Sequence, residues 1–327
     1  MLAPRQNTPR RKRPSVRFDL IMACTTALLL VGCSAKGAVA ARDRPAGHSS
    51  TTAQPTPTTV PPTTTTTTAP EQPGWTTLSV GPRGIAVDER TFAQPDGSQV
   101  TVARFLAGHV DYSLHVGSQD PPTGQAAISA DSGSMVSTAE QPLLLACFNG
   151  GFEMTAGAGG FEVDGQVLSP LTSGLASLVI DTAGVGQVGA WSAGVPTPGA
   201  SVASVRQNLP PLVSGGQPSP QITDIAAWGS TLGGRADVAR SALGQDPSGD
   251  LLYAASMSAL PIDLAAALVS AGVASAMELD INPEWVQLAT APSPGASLVA
   301  GIPGQNRPAD QCQVGWTRDF IAVLSIG

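Results

Sequence analysis

The stretch from Pro45 to Gly74 most constrains what this chain can fold into, because Thr, Pro, Ser and Ala dominate it and an unbroken threonine run extends from Thr63 to Thr68. Such a segment has almost no apolar surface to bury. It cannot offset the entropy of ordering, and its prolines bias it toward extended conformations. At about 3.1 Å per residue it could span up to roughly 90 Å. Residues 34–74 are therefore read as a disordered linker, and cooperative folding is confined to residues 75–327. No second linker interrupts those roughly 250 residues, which suits one large domain better than two.

Ahead of the linker, Arg5, Arg10, Arg11, Lys12, Arg13 and Arg17 precede an apolar run from Leu20 to Val31, the layout of an export signal. About a dozen apolar residues would rise only roughly 18 Å as a helix, short of the roughly 30 Å hydrocarbon core, so the run does not read as a membrane span. Leu30-Val31-Gly32-Cys33 resembles the lipobox of bacterial lipoproteins, which implies cleavage, acylation at Cys33, and a domain held on the outer face of the cytoplasmic membrane. A chance cysteine after an ordinary secretory signal is the alternative; both export the chain. Six of the 17 basic residues and one of the 24 acidic residues precede Cys33, leaving the remainder at a net charge of −12. A chain this acidic is a poor partner for nucleic acid, and the acyl chain is its only evident membrane anchor. Oligomeric state has no signature in the sequence.

Strand patterns recur through 75–327: Gln99 to Phe105, Tyr112 to Val116, Leu143 to Phe148, Phe161 to Leu168, Leu175 to Asp181, Gly186 to Trp191, Leu251 to Met257 and Ala276 to Ile281. Asp164-Gly165 predicts a tight hairpin, and Thr182 to Gly184 a second. One helix is expected over Ile262 to Ala271, after Pro261 and before Gly272. With its flanking strands it would make a β-α-β unit. The expected class is α+β: a single domain with a central mixed, largely antiparallel sheet, hairpins and one β-α-β unit. Of the four cysteines, Cys24 lies in the signal and Cys33 is the lipid site, leaving Cys147 and Cys312. In an exported domain their simplest fate is a disulfide; two buried free thiols are the alternative.

Common catalytic solutions are absent. The histidines are His48, in the linker, and His109 and His115; no zinc-protease motif, nucleophile elbow or phosphate loop occurs. Chemistry must then come from carboxylates, amides, hydroxyls or arginine. Four segments follow in order: Cys147-Phe148-Asn149-Gly150-Gly151-Phe152, Gly160-Phe161-Glu162-Val163-Asp164-Gly165, Ala239-Arg240-Ser241-Ala242-Leu243-Gly244 and Glu278-Leu279-Asp280. Together, over roughly 140–327, they resemble the phosphodiester glycosidase family. The resemblance implies hydrolysis of a glycosyl phosphodiester, with a glycan or sugar-phosphate substrate in the cell envelope, and places Asn149, Arg240 and Asp280 in the active site.

These roles suit the residue types. Asn149 opens a Gly150-Gly151 turn where backbone amides can approach a ligand, Arg240 offers a planar fork for phosphate oxygens, and Asp280 ends a strand after a crossover. Glu278 lies two residues before Asp280 on a predicted strand, so both carboxylates share one face. They could split acid and base roles or simply form a solvated face. Arg206 and Asn208, beside Pro210-Pro211, are further substrate-binding candidates. Where the family continues Gly-Gly-Gly-Ser after Leu-Asp, this chain has Ile281-Asn282-Pro283-Glu284-Trp285, which removes flexible backbone and a hydroxyl. Asn282, Glu284 and Trp285 are candidate replacements as polar and stacking contacts for a sugar ring; the alternative is that they merely close the fold. No organic cofactor is implied. No metal-ligand spacing is present, although the acidic residues leave a divalent cation open. The altered loop also leaves a rival reading: a non-catalytic envelope module that binds glycan or a protein partner. The discriminating feature would be an open pocket on which Asn149, Arg240 and Asp280 converge, against one filled by Trp285.

Overall fold

The structure, a computed structural model, describes residues 74–124 and 126–327. The proposed signal, Cys33 and the linker before Gly74 lie outside the described residues. Along the chain the strands are β1 (Thr76–Gly81), β2 (Gly84–Ala93), β3 (Gln99–Phe105), β4 (Val110–His115), β5 (Leu144–Asn149), β6 (Phe161–Val163), β7 (Gln166–Ser169), β8 (Ala176–Asp181) and β9 (Gly186–Ala190). There follow β10 (Val202–Gln207), β11 (Val213–Ser214), β12 (Gln217–Pro218), β13 (Val238–Gln245), β14 (Leu251–Ala259), helix α1 (Pro261–Ser270) and β15 (Ser275–Ile281). The chain closes with β16 (Leu288–Thr290), β17 (Val299–Ala300), the short helix α2 (Gln311–Val314) and β18 (Phe320–Ser325).

These strands form an eight-stranded sheet of order β1-β2-β3-β14-β13-β15-β11-β12 and two five-stranded sheets, β7-β6-β10-β8-β9 and β17-β16-β5-β18-β4. Alternation along the strands explains the layering. In the large sheet Phe105, Leu243, Leu251, Tyr253, Met277 and Leu279 turn to one face, where they join Phe148, Phe161, Leu178 and Ile321 of the smaller sheets in the main core. Val102, Ala242, Leu252, Ala254 and Ala276 turn to the other and are covered by Leu264, Ala265 and Leu268 of α1. Both faces of the large sheet are thus buried, which is why β13 and β14 read as nearly continuous small and apolar runs rather than as clean alternation.

The predicted hairpins are present: β6 and β7 turn at Asp164-Gly165, both at positive φ, and β8 and β9 turn through Gly184. The predicted helix starts at Pro261 and carries Asp263 back to the amide of Leu260. Two expectations need correction. The sheet is not mixed, since each of its neighbouring pairs is antiparallel. The crossover β14-α1-β15 exists, but β13 is inserted between its two parallel-running strands and pairs with both. The architecture is also richer in sheet than α+β suggests: among the described residues α1 and α2, of ten and four residues, are the α-helices, set against three sheets. The scarcity of helix reflects the large share of core that sheet faces supply to one another.

Cys147, in β5, and Cys312, in α2, form a disulfide across 165 residues. It sits beside Val136, Leu144, Trp316 and Phe320. It ties the strand leading into Asn149-Gly150 to the segment that leads, through Trp316, into Arg318 and β18.

Candidate active site

The C-terminal ends of β5 and β15 meet the starts of β13 and β18 at one rim of the molecule. A pocket of about 540 Å³ opens there, lined by Phe152 and Glu153, Leu209, Ala226 and Ala227, Asp280 to Asn282, Trp285 and Arg318 among others. Its chemistry centres on two side chains. Asp280 Oδ2 forms an ion pair with Arg318 Nη2 at 2.8 Å, and Oδ1 accepts a hydrogen bond from the amide of Ile281 at 2.9 Å. Burial pushes the Asp280 carboxyl up to about 7, although Arg318 pulls the other way. A carboxylate poised there can hold or release a proton near neutral pH.

Arg318 is surrounded by acids. Beyond Asp280, its Nη1 lies 3.3 Å from Glu153 Oε1, its Nε 3.7 Å from Asp120 Oδ2, and its Nη2 donates to the Gly151 carbonyl at 3.3 Å. Its guanidinium also lies 4.7 Å from the centre of the Trp285 ring. Trp285 is half-buried and forms part of the wall; the pocket stays open beside it. Among the described residues no group of three or more His, Cys, Asp or Glu side chains is arranged to hold a metal ion.

Of the residues singled out from sequence, Asp280, Asn282 and Trp285 line the pocket, and Asn149, Gly150, Gly151, Arg206, Asn208, Arg240 and Glu278 do not. Asn149 has no capacity left for a ligand: Nδ2 donates to Gly150 O and Ser241 Oγ, and Oδ1 accepts from the Tyr253 hydroxyl and the Gln287 amide. Ser241 Oγ in turn donates to the Asp280 carbonyl at 2.7 Å, so Asn149 fixes the strand end that carries Asp280. Gly150 and Gly151 are required by close approach. A Cβ on Gly150 would fall 1.8 Å from Asp319 Oδ2, and one on Gly151 2.6 Å from Arg206 Cζ.

Arg206 is fully buried and spends its donors on Asp319, on the Gln207 carbonyl and on the Phe152 carbonyl. Asn208 accepts from the Phe152 amide and donates to the Glu278 carbonyl at 2.7 Å, joining the turn to β15. These are building contacts, which corrects the expectation that Arg206 and Asn208 bind substrate.

Arg240 and Glu278 require the sharpest correction. Both side chains are 0% exposed, and Arg240 Nη1 donates to Glu278 Oε1 at 2.8 Å. Neither a phosphate oxygen nor water can reach them from the pocket. Arg240 instead also holds the carbonyls of Trp228 and Ala236, at both ends of the loop forming one pocket wall. Burial raises the Glu278 carboxyl, with Arg240 opposing it. A bulge separates it from Asp280: Arg240 pairs with Ile281 and Ala242 with Glu278, so β15 carries an extra residue over that step. The two carboxylates therefore meet different arginines, and the solvated face considered from sequence does not exist. Asn282 sits at φ 74°, where an asparagine substitutes for glycine most readily. Its side chain accepts from the Leu232 amide and donates to the Ser230 carbonyl, holding the same wall.

Sequence reasoning missed Arg318. A signal was present: Arg318-Asp319 is a charged doublet placed directly before the apolar run Phe320 to Leu324, in a chain with only 13% charged residues.

No protein-family model matches this sequence, and no curated protein matches it. Among solved structures, the catalytic domain of zebrafish N-acetylglucosamine-1-phosphodiester alpha-N-acetylglucosaminidase, auto-inhibited by its pro-peptide, is similar over 77% of this chain and 88% of its own, at 15% identity and a TM-score of 0.47. A hypothetical protein from Synechocystis is similar over 75% of this chain and 63% of its own, at 13% identity and a TM-score of 0.42. A putative exported protein from Burkholderia pseudomallei K96243 is similar over 74% and 75%, at 13% identity and a TM-score of 0.36.

Proposed function

We propose that this protein hydrolyses a glycosyl phosphodiester in the pocket formed by Asp280 and Arg318, as an exported domain acylated at Cys33 and carried on the Thr/Pro-rich linker. The observation that carries the reading is the Asp280–Arg318 ion pair at the pocket, with the carboxyl held at about 7. One guanidinium can grip a phosphate oxygen through one terminal nitrogen and orient the carboxylate through the other, which brings the bond to be broken alongside Asp280. The sugar would lie against the wall of Phe152, Leu209 and Ala226.

Most glycosidases use two carboxylates, one of them to protonate the leaving group. Glu278 cannot fill the second role, because it is sealed against Arg240. A phosphate leaving group does not need that proton, since it departs as a stable anion. One carboxylate then suffices: ionised Asp280 deprotonates the water that attacks the anomeric carbon as the bond from that carbon to the phosphate oxygen breaks, and Arg318 stabilises the departing phosphate.

The rival reading, a glycan-binding module without activity, draws support from the sealing of Arg240, Arg206 and Asn149 away from the pocket. The test is release of free sugar from an N-acetylglucosamine-1-phosphodiester by the purified protein and by its Asp280→Asn and Arg318→Ala variants. Release that both substitutions abolish in folded protein supports the enzyme. Binding of the diester without turnover supports the module.

A further inference from the structure

Arg318 holds its partners unequally. Asp280, Asp120 and the Gly151 carbonyl, which face Nη2 and Nε, belong to buried or nearly buried groups. Glu153, which faces Nη1, has a side chain 55% exposed on the pocket wall. The backbone on either side of Glu153 is pinned: the Phe152 carbonyl accepts from Arg206, and the Met154 amide donates to Asp120. Among the described residues the Glu153 side chain has no buried partner besides Arg318. Its other oxygen, Oε2, accepts only from the exposed Thr155 hydroxyl at 3.3 Å.

We propose that Glu153 and an anionic oxygen of the ligand compete for Nη1 of Arg318, so that Glu153 determines how readily the pocket accepts an anion. This rests on the reading of the pocket as a phosphodiester site and adds a specificity-determining residue to it. Three carboxylates around one guanidinium leave the site net negative when all are ionised, so an arriving phosphate meets repulsion until Glu153 gives up its place. Displacement is cheap, because a half-exposed ion pair contributes little. A neutral sugar gains nothing from the exchange, whereas a ligand carrying phosphate gains the fork.

Calorimetric titration of the full-length protein with inorganic phosphate, and separately with N-acetylglucosamine, tests this in wild type, Glu153→Gln and Glu153→Ala. Both substitutions remove the competing charge and should tighten phosphate binding by up to about fivefold, an effect that shrinks with added salt. Affinity for the neutral sugar should not change. Phosphate binding that is unchanged or weaker in both variants overturns the competition, as does a failure of all three proteins to bind phosphate. If the variants tighten phosphate while no diester is hydrolysed, the competition stands and the hydrolytic reading fails. If diester is hydrolysed while phosphate affinity ignores both substitutions, the reverse holds.

Discussion

Two arginine–carboxylate pairs have their carboxylates two residues apart on β15 and the same N–O distance, 2.8 Å in each. Arg240–Glu278 is closed on every side, while Arg318–Asp280 opens on a pocket. The first cannot meet a ligand, yet it fixes both ends of the loop that forms the pocket wall. The second has a half-exposed neighbour, Glu153, and an aromatic one, Trp285. Residue type does not separate a structural ion pair from a reactive one; accessibility and the rest of the hydrogen-bond set do. Arg240 Nε and Glu278 Oε2 are left without hydrogen-bond partners, so the sealed pair is a poor source of stability and is retained for where it holds the chain.

The comparison predicts opposite consequences for substitution at the two pairs. Asp280→Asn should reduce diester hydrolysis by about 10² to 10⁴-fold, the range expected for loss of a general base, without lowering the unfolding midpoint; turnover assays paired with thermal melts check both halves. Arg240→Ala should do the reverse first, destabilising by about 3–5 kcal/mol because it leaves a buried carboxylate uncompensated. Chemical denaturation measures this, and the double variant Arg240→Met, Glu278→Leu should recover most of the loss. A double variant as unstable as the single would show that the pair contributes more than mutual compensation.

pH separates the pairs further. Asp280 must be ionised to act, so the rate should rise about tenfold per unit toward pH 7 and level above it. Stability runs the other way. A carboxyl raised from 3.8 to about 7 on folding favours the folded state at acid pH, and that contribution is lost as pH rises through this window. Burial raises Glu278 in the same direction, so denaturation at pH 4 and pH 8 should show a loss that Asp280→Asn reduces only in part. The smallest effect is expected at Trp285→Ala, which removes a stacking contact worth about 0.5–1 kcal/mol and frees Arg318. It should raise KM a few-fold and leave folding intact.

Much of the local structure was legible before any tertiary contact was known. The Asp164-Gly165 hairpin needed only two residues that tolerate positive φ, and α1 needed only Pro261, an apolar face and Gly272. The cysteine pair followed from elimination. Less legible were β1, β2 and β13: the first two because half-exposed strands blur alternation, and β13 because burial on both faces erases it. The insertion of β13 between β14 and β15 also had no local signal, since an antiparallel neighbour and a parallel one can present the same apolar pattern.

For the site, the sequence alone narrowed any chemistry to carboxylates, amides, hydroxyls or arginine and put Asp280 at a strand end. Only the tertiary structure decided which arginine faces the pocket. An arginine becomes structural when it is sealed inside the fold against acceptors from far along the chain: Arg206 finds Asp319 113 residues away, and Arg240 finds Glu278 38 residues away. Arg318, next in sequence to the sealed Asp319, remains at the pocket because the Gly150-Gly151 turn lets the chain pass close enough for Asp319 to turn inward while its neighbour turns out. That partition follows from packing between distant segments, which no local pattern of residues encodes.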